Sequence, residues 1–231
     1  MTIVVSTCNK YRHLLKNFAL LFNKFWDEKQ RVLVFGYLPP EELLPENFKF
    51  ISLGTEDEPW SDQMIEILEQ IPDSQFIYLR EDYYLLKPVP IDKVQALWDF
   101  MRGCGDYKRM SLQSIKDYTQ PVKKFFSEIM MQNIKLYRME WDAEYLCSFE
   151  ASIFRKDLLQ KYLVAGEGSQ EGENNTSNRM KKKYEVVLIP EETILYYKDA
   201  FRGGREQRIE DRNGELWLLT PDGWQFTGVK I

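Results

Sequence analysis

The sequence predicts an α/β protein with a mainly parallel central sheet flanked by helices and a small antiparallel β appendage at its C-terminal end. In the N-terminal part, short apolar runs alternate with helical patterns, and the loops between them are short. Such an alternation is typical of a parallel sheet. The final stretch instead carries the turn signals Asn213-Gly214 and Asp222-Gly223, which favour hairpins.

The first half of the chain predicts the order β-α-β-β-α-β. Residues 2–7 (TIVVST) form an apolar, β-branched run that is typical of a buried central strand. Apolar residues then recur at helical spacing from Leu14 to Phe25. Further strands are predicted at 31–37, 48–54 and 76–80, with a helix at 59–71 before the last of them.

The second half is less regular. The patterns predict a helix at 91–103, strands at 107–114, 185–190 and 193–197, and a strand running into a helix at 145–164. Residues 125–139 are compatible with either a helix or two strands. Residues 165–183 are almost devoid of apolar side chains, so we expect them to be the least ordered, mobile part of the chain. We place one domain at 1–205 and the appendage at 206–231.

The composition excludes several classes of protein. The 231 residues carry a net charge of −5, so there is no general basic field for nucleic acid. The single histidine excludes a His-rich zinc site, and three cysteines without CxxC spacing indicate a reducing compartment. No apolar run is long enough for a membrane span or a signal peptide, so we expect a cytoplasmic protein.

Two adjacent acids, Glu81 and Asp82, directly follow the predicted fourth strand in FIYLREDYYLLKP (76–88). The loop TCNKY (7–11) follows the first strand in the same way. Open α/β sheets bind ligands at the carboxyl ends of their strands, which predicts that the acids face a cleft. The alternative is that they pair with Arg80 or Lys87 on the surface.

Four segments, in this order, resemble small bacterial and viral glycosyltransferases of the GT-A fold, distantly related to the inverting family 2. They are IVVSTCNKYRHLLKNF, WSDQM, FIYLREDYYLLKPV, and SFEASIFRKDLL followed by an acidic loop. The resemblance covers about residues 2–200 and is clearest around 76–90 and 148–160. It implies a GT-A-like fold and transfer of a sugar, hexosyltransferase-like and with inversion, from a nucleotide-diphosphate donor to the hydroxyl of a saccharide or other acceptor.

The resemblance also implies a divalent cation, Mn²⁺ or Mg²⁺, that neutralises the departing diphosphate. Asp82 is the implied metal ligand. The triplet Arg80-Glu81-Asp82 departs from the family's Asp-x-Asp pattern, and Arg80 could bind the diphosphate itself. Glu81 is assigned with Arg80 to donor binding.

On the nucleotide side, the resemblance places Thr7, Asn9 and Tyr11 near the base and ribose, and Asp62 near the seated nucleotide. Two structural alternatives stay open. Asn9 could merely begin the following helix, and Asp62 could simply be a favourable acid in the first turn of a helix.

An inverting transfer requires a base that deprotonates the acceptor hydroxyl. The resemblance implies an acid within 165–183, with Glu173 as the first choice and Glu171 as the second. Glu150 is assigned to the acceptor cleft. The alternative is a solvated acidic loop without a catalytic role.

Two other functions remain open at this point. A nucleotidyltransferase would also place acids at strand ends, but it usually has a Gly-rich loop after the first strand, and TCNKYRH has no glycine. A non-catalytic nucleotide-sugar-binding or scaffold module would retain the fold after losing Asp-x-Asp.

Overall fold

The computed structural model describes residues 1–114, 125–131, 133–143, 145–202, 205–206, 208–210, 215–220 and 223–229. The strands are β1 (Ile3–Ser6), β2 (Val32–Gly36), β3 (Phe48–Ser52), β4 (Gln75–Arg80), β5 (Tyr83–Leu85), β6 (Tyr107–Ser111), β7 (Phe125–Met131), β8 (Ile134–Met139), β9 (Ser152–Arg155), β10 (Val186–Pro190), β11 (Tyr197–Asp199), β12 (Phe201–Arg202), β13 (Arg205–Glu206), β14 (Arg208–Glu210), β15 (Glu215–Thr220) and β16 (Gly223–Val229). The helices are α1 (Leu15–Phe25), α2 (Trp60–Gln70), α3 (Ile91–Gly103), α4 (Lys156–Tyr162) and α5 (Ser169–Lys181), and a 3₁₀ turn at Arg12–Leu14 precedes α1.

A nine-stranded sheet with the order β3-β2-β1-β4-β9-β6-β10-β8-β7 forms the centre of the molecule. The predicted order β-α-β-β-α-β is confirmed, and β3, β2, β1 and β4 pair in parallel. The other half is mixed. Strand β9 runs antiparallel to both β4 and β6, and β8 runs antiparallel to β10 and β7. The sheet is therefore parallel on one side and largely antiparallel on the other.

Both faces of the sheet are covered, which explains why its central strands are apolar on both sides. Successive residues of β1 point to opposite faces: Ile3 and Val5 pack with helices α1 and α3, while Val4 packs with α2, α4 and α5. Strand β4 repeats the alternation, with Ile77 on the first side and Tyr78 on the second. Two apolar layers thus hold β1 and β4 side by side.

The ambiguous segment 125–139 forms the antiparallel pair β7–β8, and 145–164 contains strand β9 followed by helix α4. The predicted strand at 193–197 is displaced, since β11 begins only at Tyr197 and pairs with β5. Strands β14, β15 and β16 form a separate antiparallel sheet, as predicted for the C-terminal end. Residues 211–214 and 221–222, which contain most of the two turn signals, lie outside the described residues. The domain boundary at 205/206 stays a prediction.

The expectation that 165–183 is the least ordered segment is wrong, because most of it forms helix α5. The helix has a buried face made mainly of small residues, namely Gly172, Thr176, Ser177 and Met180. A Cβ atom at Gly172 would lie 3.1 Å from the ring of Trp60, so the missing side chain lets α5 pack closely on α2. Hydropathy alone misses such a helix because its packing depends on size rather than on apolar area.

No helix in the part of the chain described here is long and apolar enough to cross a membrane.

Candidate functional site

The loops after β1 and β4 lie side by side at one edge of the sheet. The two strands are parallel neighbours, and Ser6 pairs with Arg80 at their carboxyl ends. The next residues of each strand, Thr7 and Glu81, therefore begin adjacent loops. The two segments therefore meet at one edge, as the sequence predicts. Glu81 and Asp82 are buried at this edge, so the expectation that they face a cleft stays a prediction.

An ion pair between Arg80 and Asp82 occupies this edge. Arg80 Nε lies 3.1 Å from Asp82 Oδ1, and Arg80 Nη2 lies 3.2 Å from Asp82 Oδ2, so the guanidinium contacts both carboxylate oxygens. Arg80 Nη2 also lies 3.7 Å from Oδ1 of Asp199, which comes from β11. One arginine thus connects two acids that are far apart in the sequence.

Strands β5 and β11 hold this cluster in place. The backbone N–H of Ala200 donates to the carbonyl oxygen of Asp82 over 2.7 Å. The guanidinium of Arg80 lies over the ring of Tyr83, 4.5 Å from its centroid, and Tyr83 stacks on Tyr197 at 4.1 Å. Sequence reasoning missed Asp199, because only the β5–β11 pairing brings it to the site.

The two adjacent acids differ in their electrostatic surroundings. Burial, together with the neighbouring charge of Asp82, raises the pKa of Glu81 to about 8. Burial also raises the pKa of Asp82, but the Arg80 guanidinium opposes that rise. At neutral pH, Glu81 is therefore mostly protonated, and Asp82 carries the negative charge of the pair.

The arrangement does not fit a divalent cation as it stands. Mg²⁺ and Mn²⁺ prefer several oxygen ligands, and both oxygens of Asp82 face Arg80. Among the residues covered by the structure, there is no group of three or more His, Cys, Asp or Glu side chains that could hold a metal ion. Both carboxylate oxygens of Asp82 are already engaged by a cationic side chain.

The loop after β1 is held by hydrogen bonds to its neighbours. Thr7 is buried, and its carbonyl oxygen accepts a 2.8 Å hydrogen bond from Gln63 Nε2. Asn9 connects two other loops, because its Oδ1 accepts from Leu38 N at 2.9 Å and its Nδ2 donates to Thr55 O at 3.0 Å. Tyr11 is half-buried beneath the Lys10 ammonium. The observed contacts of Asn9 fix the shape of this loop.

Asp62 connects α2 to the segment before α5. Its Oδ2 accepts a hydrogen bond from Gly166 N at 2.6 Å, and Ser61 Oγ accepts one from Glu167 N at 2.8 Å. Glu167 in turn forms a two-pronged ion pair with Arg179, at 2.8 and 2.7 Å. In this structure the Asp62 carboxylate therefore stabilises the entry to α5.

Helix α5 brings Glu173 towards the same edge of the sheet. Oε1 of Glu173 accepts a 2.9 Å hydrogen bond from the backbone N–H of Phe149, whose carbonyl oxygen accepts from Tyr83 Oη at 3.4 Å. The residue Phe149 thus links Glu173 to the tyrosine on which Arg80 rests. Glu171 lies two positions earlier and is exposed, about 200° around the helix from Glu173.

Glu150 follows Phe149 and is half-buried. The pKa of Tyr83 is raised well above its usual value, mainly by burial, and the charges of Tyr197 and Glu150 add to the rise. Glu150 therefore lies within electrostatic reach of the Arg80–Tyr83 stack. The structure brings Arg80, Glu81, Asp82, Glu173 and Glu150 to one region of the molecule.

No protein-family profile and no curated protein sequence matches the chain. Solved structures do resemble it. The S. aureus TarS 1–349 structure gives a TM-score of 0.53 at 15% identity, covering 86% of this chain and 60% of that one. TarS 1–349 in complex with UDP-GlcNAc gives 0.55 at 14% identity, with 89% and 59% covered.

A mannosyltransferase from Pyrobaculum calidifontis, PcManGT in complex with GDP-Man and Mn²⁺, gives a TM-score of 0.55 at 12% identity. The match covers 57% of PcManGT and 88% of this chain. The chain thus spans 57 to 60% of the length of these three structures. These neighbours are glycosyltransferases of the GT-A type, and the chain has the same GT-A-like fold.

Proposed function

We propose that the chain is a glycosyltransferase that moves a sugar from a nucleotide-diphosphate donor to the hydroxyl of a saccharide or other acceptor, with inversion. The observation that carries this proposal is the Arg80–Asp82 pair at the carboxyl end of β4, connected through Phe149 to Glu173. Two structural neighbours, solved in complex with UDP-GlcNAc and with GDP-Man, support a nucleotide-sugar donor.

On the donor side, Arg80 would receive the diphosphate. A departing nucleoside diphosphate develops negative charge, and a guanidinium matches phosphate oxygens with two parallel N–H donors. The side chain of Arg80 is 41% exposed and that of Asp82 only 12%, so Arg80 is the member of the pair that a ligand could reach from solvent. Neutral Glu81 would add no opposing charge beneath the phosphates.

The nucleotide would lie along the loop after β1, which begins beside Arg80. Thr7 and Tyr11 are the residues that we propose to face the base and ribose. Asn9 and Asp62 would act on the nucleotide through the loops that they hold. The side chain of Asn9 bonds to backbone groups of two other loops, and the Asp62 carboxylate accepts from Gly166 N and Ser61 Oγ.

On the acceptor side, we propose Glu173 as the general base and Glu150 as part of the acceptor cleft. The Phe149 N–H fixes one oxygen of Glu173, which would orient the other oxygen towards an acceptor hydroxyl. Removal of the hydroxyl proton by Glu173 would produce the nucleophile that attacks the anomeric carbon as the diphosphate leaves. Glu171 is the second choice, and its exposed position favours it less.

The resemblance implies that a divalent cation neutralises the charge on the departing diphosphate. We propose Asp82 as its ligand. Mn²⁺ is part of the PcManGT complex and supports the use of a cation in that protein.

One observation favours a second candidate, a non-catalytic module that binds nucleotide sugars. Arg80 stands where the catalytic pattern has its first acid, so the fold and the binding edge could persist without transfer. Against a nucleotidyltransferase, the loop that begins at Thr7 contains no glycine before α1.

Thermal unfolding with UDP, GDP and TDP, followed by hydrolysis of the corresponding nucleotide sugars, tests the proposal. We expect one nucleotide to raise the melting temperature and its sugar conjugate to be hydrolysed slowly without an acceptor. Stabilisation without hydrolysis or transfer to any saccharide would support the binding module instead. If no nucleotide changed the melting temperature, the proposed function would be wrong.

A further inference from the structure

The guanidinium of Arg80 occupies the side of Asp82 that a cation would need. It contacts Oδ1 at 3.1 Å and Oδ2 at 3.2 Å, which is the two-pronged geometry of a strong arginine–carboxylate pair. Asp199, 3.7 Å from Arg80 Nη2, adds a second acid from another part of the chain. In this cluster of Arg80, Asp82 and Asp199, the positive charge is that of the Arg80 side chain.

The two partners differ in their freedom to move. The side chain of Asp82 is 12% exposed, and its backbone is held by a 2.7 Å hydrogen bond from Ala200 N. The side chain of Arg80 is 41% exposed and rests on the face of Tyr83. Arg80 can therefore leave the pair towards solvent, whereas Asp82 stays fixed and needs a positive partner in its buried position.

We infer that Arg80 and a divalent cation compete for Asp82, and that Arg80 lets the chain bind a nucleoside diphosphate without a metal ion. The part concerning the nucleotide rests on the proposed function, while the competition itself does not. Asp82 and Asp199 contribute two negative charges and Arg80 one positive charge, which leaves one negative charge. Replacing Arg80 by glutamine leaves two, a better match for a divalent cation.

The competition is tested by titrating the full-length chain with Mn²⁺ and following free Mn²⁺ by electron paramagnetic resonance. We expect Arg80→Gln to lower the Kd for Mn²⁺ at least tenfold relative to the unmodified chain. The double variant Arg80→Gln/Asp82→Asn should lose this gain. Arg102→Gln is the matched control, because Arg102 forms a 2.7 Å pair with Asp99 at an exposed position away from the site.

Equal or weaker Mn²⁺ binding by Arg80→Gln would overturn the inference. Arg80→Lys provides a second test if Arg80→Gln fails to fold, because lysine keeps the positive charge but cannot make the two-pronged contact. We expect its Kd for Mn²⁺ to lie between those of the unmodified chain and Arg80→Gln. Circular dichroism before each titration verifies that the variants are folded.

Calorimetric titration with UDP, GDP and TDP, in EDTA and in Mn²⁺, tests the role of Arg80 towards the diphosphate. The unmodified chain should bind its nucleotide with a Kd that changes less than threefold between the two conditions, and Arg80→Gln should bind it only with Mn²⁺. Binding by the unmodified chain only with Mn²⁺ would overturn this role. Failure of UDP, GDP and TDP alike to bind would contradict the proposed function, whereas the Mn²⁺ titration decides the competition by itself.

Discussion

Asp82 lies at the point where the chain leaves β4, and both its side chain and its carbonyl oxygen are occupied. The carboxylate faces Arg80, and the carbonyl oxygen accepts a hydrogen bond from Ala200 N. Because the acid is buried and the arginine is partly exposed, loss of Arg80 and loss of Asp82 should lower the free energy of unfolding by different amounts.

Removal of Arg80 is expected to destabilise the protein more than neutralisation of Asp82. Arg80→Met leaves a buried carboxylate without its main partner and should lower the free energy of unfolding by about 2 kcal/mol, a value reduced for the exposure of the arginine. Asp82→Asn leaves the arginine near Asp199 and water and should cost about 1 kcal/mol or less. Urea unfolding measures both changes, and a larger cost for Asp82→Asn would contradict this account.

Glu173→Gln is expected to lower sugar transfer by about a hundredfold or more, in the range of a lost general base. The nucleotide affinity should be unchanged, because glutamine keeps an oxygen that can accept from Phe149 N. Glu171→Gln is the matched control on the same helix and should retain activity. If Glu171→Gln loses activity and Glu173→Gln keeps it, the assignment of the base is reversed. Full activity of both variants would remove α5 from the chemistry.

At the level of elements, α5 shows how a segment with few apolar residues can still pack as a helix. Its contacts are a close approach at Gly172, the Glu167–Arg179 ion pair and a 3.0 Å hydrogen bond from Cys147 N to Ser177 Oγ. These contacts position Glu173, so the stability of α5 and the geometry of the proposed base are connected.

A methyl group at Gly172 is expected to separate helix propensity from packing. Gly172→Ala would place Cβ 3.1 Å from the ring of Trp60. The ring of Trp60 packs against that of Phe149, with 4.2 Å between the ring centroids, and therefore has little room to move. We expect a loss of about 1 kcal/mol despite the better helix propensity of alanine.

The control for this change is Gly103→Ala at the end of α3, where a Cβ atom would meet nothing within 4 Å. It should be neutral or stabilise the protein by up to about 1 kcal/mol. Chemical unfolding of both variants measures the difference. Equal effects of the two substitutions would show that Gly172 is not needed for the packing of α5 on Trp60.

The Glu167–Arg179 pair predicts a pH dependence of stability. Arg179 and Asn175 hydrogen bonds lower the pKa of Glu167. A carboxyl group with a lowered pKa in the folded state stabilises the protein above its unfolded pKa of about 4.3, and this contribution is lost as the pH falls through the folded pKa.

Glu167→Gln should therefore lower the free energy of unfolding by about 1 to 2 kcal/mol at pH 7 and by less at pH 3. Urea unfolding at both pH values measures the change, since urea does not screen charges. A cost of Glu167→Gln that is the same at both pH values would contradict a role for the carboxylate charge.

At the level of the whole molecule, the C-terminal part of the chain contributes to the site before it forms the appendage. Strand β11 pairs with β5 and supplies Asp199, and the sheet β14–β15–β16 follows it. The last strand, β16, lies beside helix α1.

Two truncations are expected to separate these contributions. A chain that ends at residue 205 retains β11 and should still bind its nucleotide in a calorimetric titration. A chain that ends at residue 195 lacks Tyr197 and Asp199, so the Arg80 cluster loses its stacking partner and its second acid, and binding should fall at least tenfold. Loss of binding by a folded chain ending at 205 would show that the appendage takes part in donor recognition.

The sequence by itself determined the elements that follow from local patterns. Apolar β-branched runs produced β1, β2 and β4, and helical spacing produced α1 and α2, because both faces of the parallel half are buried and the pattern is therefore strong. The edge at which Asp82 lies followed from the rule that parallel strands end together. The specific roles of Thr7, Asn9, Tyr11, Asp62 and Glu173 came only from the family resemblance.

Only the tertiary structure decided which groups surround Asp82 and how 165–183 is arranged. Asp199 reaches Arg80 through the pairing of strands more than 100 residues apart in the sequence, and no local pattern encodes such a contact. The antiparallel half of the sheet depends in the same way on long-range pairing. Helix α5 escaped detection because small side chains, an ion pair and a close backbone approach stabilise it, and these act only once α2 and the Phe149 segment are in place.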